Sequence, residues 1–175
     1  MEGAIRLDLG AGNKRYPGWI AVDQQDRLGN VQDVKTDLRK LPFADDYADE
    51  ARAIHVIEHF QPWEAADVVR EWIRVLKPGA QLAIECPCFE KVLALAQVPE
   101  VPPTMTFWAI YGDPRHQDPA MMHHWCYSKS QLARLMTQAG LVDVRSEPVQ
   151  FHHPIRDMRV VGNKPKEQRI IHGAA

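Results

Sequence analysis

Three cysteines in 175 residues, Cys86, Cys88 and Cys126, are too few and too odd in number for a disulfide framework. Reduced thiols in a cytoplasmic protein are the expectation. Charge of one sign is also missing: 21 Lys and Arg stand against 23 Asp and Glu, a net of -2. The chain therefore has no basic footprint for nucleic acid or an anionic membrane, and neither is an expected partner. No apolar run reaches the roughly 20 residues of a membrane span. No charged stretch followed by an apolar one opens the chain as a secretory signal would. Repeats and low-complexity tracts are absent. What is present is ordinary globular composition, 45% hydrophobic and 25% charged, in a length suited to one domain over residues 1–175.

Apolar patterning divides that domain into strands and helices. Residues 4–9, 19–23 and 31–38 read as three strands, and a fourth runs from about 50 to His55. Residues 62–76 read as a helix, with Pro62 in its first turn and Ala66, Val69, Trp72, Ile73 and Leu76 at three- and four-residue steps. Lys77-Pro78-Gly79 is expected to end it, and residues 80–87 to form a fifth strand. Residues 88–127, with five prolines, read as an insertion of little regular structure carrying one helix through FEKVLALAQV. Residues 128–140 read as a helix capped by Ser128 or Ser130 and ended by Gly140. Two closing strands follow with no room for a crossover helix, so they should pair antiparallel. Alternation of strands and helices predicts an α/β domain with a mostly parallel sheet.

Residues 7–23, LDLGAGNKRYPGWIAVD, put a Gly-rich turn between two apolar runs. A P-loop would need Lys and then Ser or Thr directly after its last glycine, to grip phosphate and magnesium. Gly12 is followed by Asn13-Lys14-Arg15-Tyr16, so that reading fails. A dinucleotide fingerprint needs a third glycine where the helix presses on the strand, and the next glycine is Gly18, after Pro17. A nicotinamide-dependent oxidoreductase stays open only against that departure.

Asp8-Leu9-Gly10-Ala11-Gly12 resembles motif I, D/E-x-G-x-G, of the class I S-adenosylmethionine-dependent methyltransferases. Two glycines let backbone approach the amino-acid half of that cofactor without a Cβ clash. Further stretches match the family in order. Asp37-Leu38 with LPFADDYAD resembles its D-L-x-x-LPF-x-D segment, IHVIEHF its vLEH segment, RVLKPGAQLAIECP its LKPGG strand, and LARLMTQAGLVDVR, more weakly, its aGF segment. The PGWIAVD form resembles small methyltransferases often encoded near polysaccharide genes.

The resemblance implies a Rossmann-like, doubly wound seven-stranded sheet, mostly parallel with an antiparallel last strand. It implies S-adenosyl-L-methionine as cofactor, held by Asp8, Leu9, Gly10, Ala11, Gly12, Asp23, Gln24, Asp37, Leu38 and His55. Asp23, ending the second strand, would accept from the ribose hydroxyls, and Asp37 would lie near the adenine amino group. The family usually has a helix before the first strand that lids the cofactor. This strand starts three residues in, so the insertion or a second subunit is expected to supply the cover, and a homodimer is one way to do so.

Methyl transfer from a sulfonium is an in-line displacement, and a hydroxyl acceptor also needs a base. His55, Glu58 and His59, at the carboxyl end of the fourth strand, are the catalytic candidates. The insertion, 88–127, is expected to form a substrate lid, with Tyr111, Arg115, His116, His123, His124 and Trp125 facing a small-molecule or sugar acceptor. His116, His123, His124, Cys126, His152 and His153 lack any spaced metal framework, and His123 and His124, being adjacent, point apart; no metal is assigned. Cys86-Pro87-Cys88 follows the fifth strand, not the fourth, where cytosine-C5 methyltransferases carry their nucleophile. The N-P-P-Y stretch of base-amine methyltransferases is replaced by HVIEHF. An O- or N-methyltransferase of small molecules or sugars is the leading reading. A non-catalytic methyltransferase-like binding module working with a partner subunit is the alternative.

Overall fold

The computed structural model describes residues 3–24 and 32–166. Among these, seven strands make one sheet: β1 (Arg6–Leu9), β2 (Ile20–Asp23), β3 (Val34–Lys35), β4 (Ala48–Ile54), β5 (Leu76–Pro87), β6 (Val142–Glu147) and β7 (Asp157–Asn163). Their order is β3-β2-β1-β4-β5-β7-β6. The first five pair parallel, and β7 runs antiparallel to both β5 and β6. Residues 148–156, nine in all, join β6 to β7. That is too short for the crossover a parallel pair needs, so the antiparallel pairing is forced.

Leu7, Leu9, Val22, Ala51, Ala53, Leu82, Ile84 and Val160 carry the sheet's part of the buried core. Helix α1 (Ala65–Arg74) covers it with Ala65, Val68, Val69, Trp72 and Ile73. Trp72 is fully buried, and its indole N–H donates to Leu38 O at 3.0 Å, which meets the polar need of a buried Trp. Helix α4 (Lys129–Gln138) starts with a reciprocal capping box: Ser128 Oγ accepts from Gln131 N, and Gln131 returns the bond to Ser128 N. The LPF stretch is held by α1. Glu71 accepts from Leu41 N at 2.7 Å, and Arg74 donates to the carbonyls of Leu41 and Phe43.

Strand and helix order follows the sequence reading, with three differences. The third strand shrinks from 31–38 to Val34–Lys35, with Val31 outside the described residues. It lies at the sheet edge with β2 as its neighbour, and Asp33 turns a carboxylate oxygen onto Ala21 N at 2.9 Å before it. Helix α1 runs from Ala65 to Arg74, with Pro62 in the turn before it, and Lys77-Pro78-Gly79 belongs to β5 instead of terminating the helix. Ala48 pairs with Leu76 but Glu50 pairs with Gln81. The Lys-Pro-Gly segment is thus an irregularity in the pairing, with Gly79 at φ +83°. The insertion holds more helix than expected: α2 (Phe89–Ala96), near the anticipated place, and α3 (Phe107–Tyr111), which the surrounding prolines concealed.

The sheet order reverses between β1 and β4, the two strands that diverge in their onward connections. Ligands of open α/β sheets bind in the crevice beyond the carboxyl ends of such strands.

Candidate active site

That crevice is a cavity of about 490 Å³, within the range of small-ligand sites. The turn after β1 forms one wall. Gly10 and Gly12 both take left-handed backbone, φ +72° and +61°. A Cβ on Gly10 would fall 2.4 Å from Val56 Cγ2, while one on Gly12 would meet nothing within 4 Å among the described residues. Gly10 is therefore required by packing against the turn after β4, and Gly12 keeps space open for a ligand. Gly10 N and Ala11 N donate to Val22 O, and Gly12 N donates to Asp23 Oδ2 at 2.8 Å. The acid ending β2 thus braces the turn and lines the cavity beside Gln24.

Asp8 lines the same wall but is engaged on both oxygens. Arg52 of β4 donates to them at 2.9 and 2.8 Å, with both side chains buried. The guanidinium lies over the rings of Tyr16, Trp19 and Phe151, 4.0–4.5 Å from their centroids. This cation–π box fixes the base of the turn.

His55 ends β4 in left-handed backbone, φ +55°. Its Nε2 lies 3.1 Å from Asp157 Oδ2, and its Nδ1 lies 3.2 Å from Glu58 Oε1. Burial opposes its charge, but the two carboxylates outweigh it and lift its pKa to about 9. Glu58 is buried, which favours its acid form, yet the close His55 brings it down to about 2. Asp157 sits well below the usual carboxylate range: burial is overcome by His55 and by Arg156, which donates to both its oxygens. His152 stacks on His55 with centroids 4.2 Å apart. Burial, then the His55 charge, lowers it to about 4. At neutral pH, His55 is an imidazolium held between carboxylates and has no lone pair with which to act as a base.

His59 differs. Burial lowers its pKa, and its Nδ1 donates to Met122 O at 3.1 Å. A neutral ring with Nδ1 carrying the proton leaves Nε2 as an acceptor, and His59 lines the cavity.

The cavity thus gathers Asp8, Gly10, Ala11, Gly12, Asp23, Gln24, Leu38, His55, His59 and His124 from the expected set. Leu9 is in the core, fully buried. Glu58 lies behind His55, not on the wall. Asp37 is also off the wall, because its carboxylate accepts from Arg39 N at 2.8 Å and pairs with the Arg39 guanidinium. Arg39 lines the cavity in its place. Tyr111, Arg115, His116 and Trp125 do not reach it either. Arg115 stacks on Trp108 and pairs with Asp113, His116 lies 3.9 Å from the same acid, and Tyr111 and Trp125 are exposed. His123 turns away from the cavity toward Glu58 and His59.

The expected set lacked Asn13, Lys14, Tyr16, Phe151, His152 and Asp157. Phe151 and His152 are placed by Glu85, fully buried in β5, whose carboxylate accepts from the backbone N–H of Gln150, Phe151 and His152. A lone acid inside the apolar fifth strand was the signal that could have found this anchor, as Asp157 at the head of β7 was for the His55 pair.

Residues 7–84 match the sequence model of a methyltransferase-domain family. No curated protein matches the chain. Among solved structures, an S-adenosylmethionine-dependent methyltransferase of Thermotoga maritima superposes with a TM-score of 0.66 at 17% identity, covering 94% of this chain and 84% of the other. One from Methanosarcina mazei gives 0.64 at 18%, covering 95% of each. The complex of the Haloferax volcanii Trm112 methyltransferase activator with a methyltransferase gives 0.62 at 16%, covering 94% and 84%. At these identities the structural likeness is one of fold.

Proposed function

We propose that the chain is an S-adenosylmethionine-dependent methyltransferase acting on an oxygen or nitrogen of a small molecule or sugar, a reading supported by the methyltransferase-domain match over residues 7–84 and by the fold it shares with such enzymes. The cofactor is S-adenosylmethionine, and the site fits it: open space over Gly12, backbone that can approach closely, and Asp23 on the same wall. When bound, it supplies a sulfonium methyl for in-line displacement. The chain's own residues do the rest. Gly10 and Gly12 shape the turn, Asp23 braces it from β2, and Leu38 and Arg39 close the side toward β3. Residues 88–127 form the lid over the acceptor, reaching the cavity through Ala120, Met121 and His124.

One observation carries the acceptor chemistry. Of the three catalytic candidates, His59 alone combines a neutral ring with a place on the cavity wall. We assign it the contact with the acceptor heteroatom. His55 and Glu58 are positioning residues: their ion pair fixes the turn that carries His59.

The test is transfer of tritiated methyl from S-adenosylmethionine into a panel of sugars, phenols and amines, beside RNA and DNA. Label in the small-molecule fraction, falling roughly 100-fold in His59→Ala, is the expected result. Label in nucleic acid alone overturns the reading. A second reading, a methyltransferase-like binding module with a partner subunit, draws on the exposed Trp63, Phe107, Tyr111 and Ile155. The Haloferax neighbour solved with its activator is in keeping with it. It predicts cofactor binding without turnover.

A further inference from the structure

Behind the cavity wall lies an arrangement that methyl transfer alone does not call for. Glu58 sits in a single 3-10 turn, Ile57–His59, with 1% of its surface exposed. Among the described residues neither of its carboxylate oxygens has a hydrogen-bond partner, although His55 Nδ1 stands 3.2 Å from Oε1. His55 meets the charge at Oε1, and among the described residues no donor serves Oε2. A buried carboxylate left in this state is costly.

Two imidazoles face it. His59 Nδ1 donates to Met122 O at 3.1 Å, and His123 Nδ1 donates to Ala109 O at 3.0 Å. The rings meet edge to face, with centroids 4.8 Å apart. Each histidine thus gives its Nδ1 proton to a backbone carbonyl and keeps Nε2 for something else. This is how histidines that ligate metals are oriented. One ligand atom from each of Glu58, His59 and His123 lies within 4.8 Å of the others. Ligands at the 2.0–2.2 Å typical of a Zn²⁺ site stand about 3–4 Å apart, so the ligand atoms would have to draw closer by about 1–2 Å on binding. The insertion is tied to this turn by backbone as well, since His124 N and Trp125 N both donate to Glu58 O.

We propose that Glu58, His59 and His123 bind a divalent transition-metal ion of the Zn²⁺ class. Two nitrogens and one carboxylate favour such an ion over Mg²⁺ or Ca²⁺, which prefer all-oxygen sites. Three protein ligands leave at least one position open. His59 is the ligand that also lines the cavity, which puts the cation beside the acceptor's side of the site. With the cation bound, His59 Nε2 is taken up as a ligand, so the cation replaces the ring in the contact with the acceptor heteroatom, which makes hydroxyl-bearing substrates the favoured class. That last step rests on the methyltransferase reading; the binding of the cation does not.

A second trio, His55, His152 and Asp157, is equally close-set. It is already filled: Asp157 takes Arg156 on both oxygens, and His55 has a carboxylate on each ring nitrogen. The sequence shows no metal signature because two ligands are adjacent residues and the third comes from the insertion. His123 and His124 do point apart, as neighbours should, and only His123 joins the trio.

The test titrates the full chain, stripped by chelator and dialysed, with Co²⁺ and with Zn²⁺ alone. Wild-type protein, His123→Ala, Glu58→Gln and His152→Ala are compared by visible absorption and calorimetry, each also titrated with S-adenosylhomocysteine. The expected result is one Co²⁺ or Zn²⁺ per chain with ligand-field bands, weakened by about 100-fold or more in His123→Ala and Glu58→Gln and kept in His152→Ala. Absence of stoichiometric binding overturns the proposal. So does binding that survives His123→Ala but is lost in His152→Ala. Metal binding without S-adenosylhomocysteine binding would uphold the cation site and overturn the methyltransferase reading. S-adenosylhomocysteine binding without metal would do the reverse.

Discussion

Gly10 and Gly12 stand two residues apart in one turn, both in left-handed backbone, yet substitution should affect them through different physics. An alanine in that conformation costs about 1–2 kcal/mol at either position. At Gly10 the new methyl also lands 2.4 Å from Val56 Cγ2, a side chain 6% exposed. Overpacking of this kind adds about 1–3 kcal/mol, for a total of about 2–5 kcal/mol. At Gly12 the methyl meets no atom of the described residues within 4 Å, so only the backbone cost is expected. At roughly 2–4 °C per kcal/mol for a chain of this size, Gly12→Ala should lower Tm by about 2–8 °C and Gly10→Ala by about 4–20 °C. The cofactor reverses the order. The Gly12 methyl occupies ligand space, so S-adenosylhomocysteine affinity should fall by about 10–100-fold, or about 1.4–2.8 kcal/mol. Adding Val56→Ala to Gly10→Ala removes the colliding methyls and should recover about 1 kcal/mol or more of the overpacking part. Thermal melts with and without S-adenosylhomocysteine, backed by calorimetric titration, read both effects. Wild-type affinity in Gly12→Ala, or a Gly10→Ala no less stable than Gly12→Ala, would refute the division of roles.

Three further predictions concern the surroundings of the turn. Arg52→Met strands the buried Asp8 carboxylate and should cost about 3–5 kcal/mol in urea unfolding; the double variant with Asp8→Leu should regain most of that, and a single-variant loss under about 1 kcal/mol would reduce the pair to a surface-type bridge. Glu85→Ala should strip hydrogen-exchange protection from the amides of Gln150, Phe151 and His152, and unchanged protection there would mean the loop is held by something else. Burial pushes the Cys86 and Cys88 thiols up and lifts Cys126 to about 12. A thiol reagent at neutral pH should therefore react slowly with native protein and quickly with three groups after denaturation, whereas a fast native phase would contradict the packing.

Local patterning carried the strand order, both long helices and the Gly-rich turn, because each is set by residues within one or two turns of one another. The Ser128–Gln131 box and Gly140 are of that kind. Lys77-Pro78-Gly79 misled for the same reason: it has the composition of a helix terminus, and only the long-range pairing of β4 with β5 makes it a strand irregularity. Asp37 reads as a ligand-facing acid, but Arg39, two residues on, draws its carboxylate away. The buried electrostatics were least legible. His55 and Asp157 are 102 positions apart, Asp8 and Arg52 are 44 apart, and nothing local marks either pair beyond a charge in an apolar strand. Likewise, chemistry alone singles out the polar residues of the 88–127 insertion, and only the fold decides that His124 faces the cavity while His123 turns to Glu58.

The roles proposed for the site all rest on S-adenosylmethionine binding in the cavity beyond β1 and β4. Calorimetric titration of the purified chain with S-adenosylhomocysteine, with NADH as the control, tests it most directly. One site of about micromolar affinity for S-adenosylhomocysteine and no heat from NADH are expected. Binding of NADH, or of neither ligand, would contradict it.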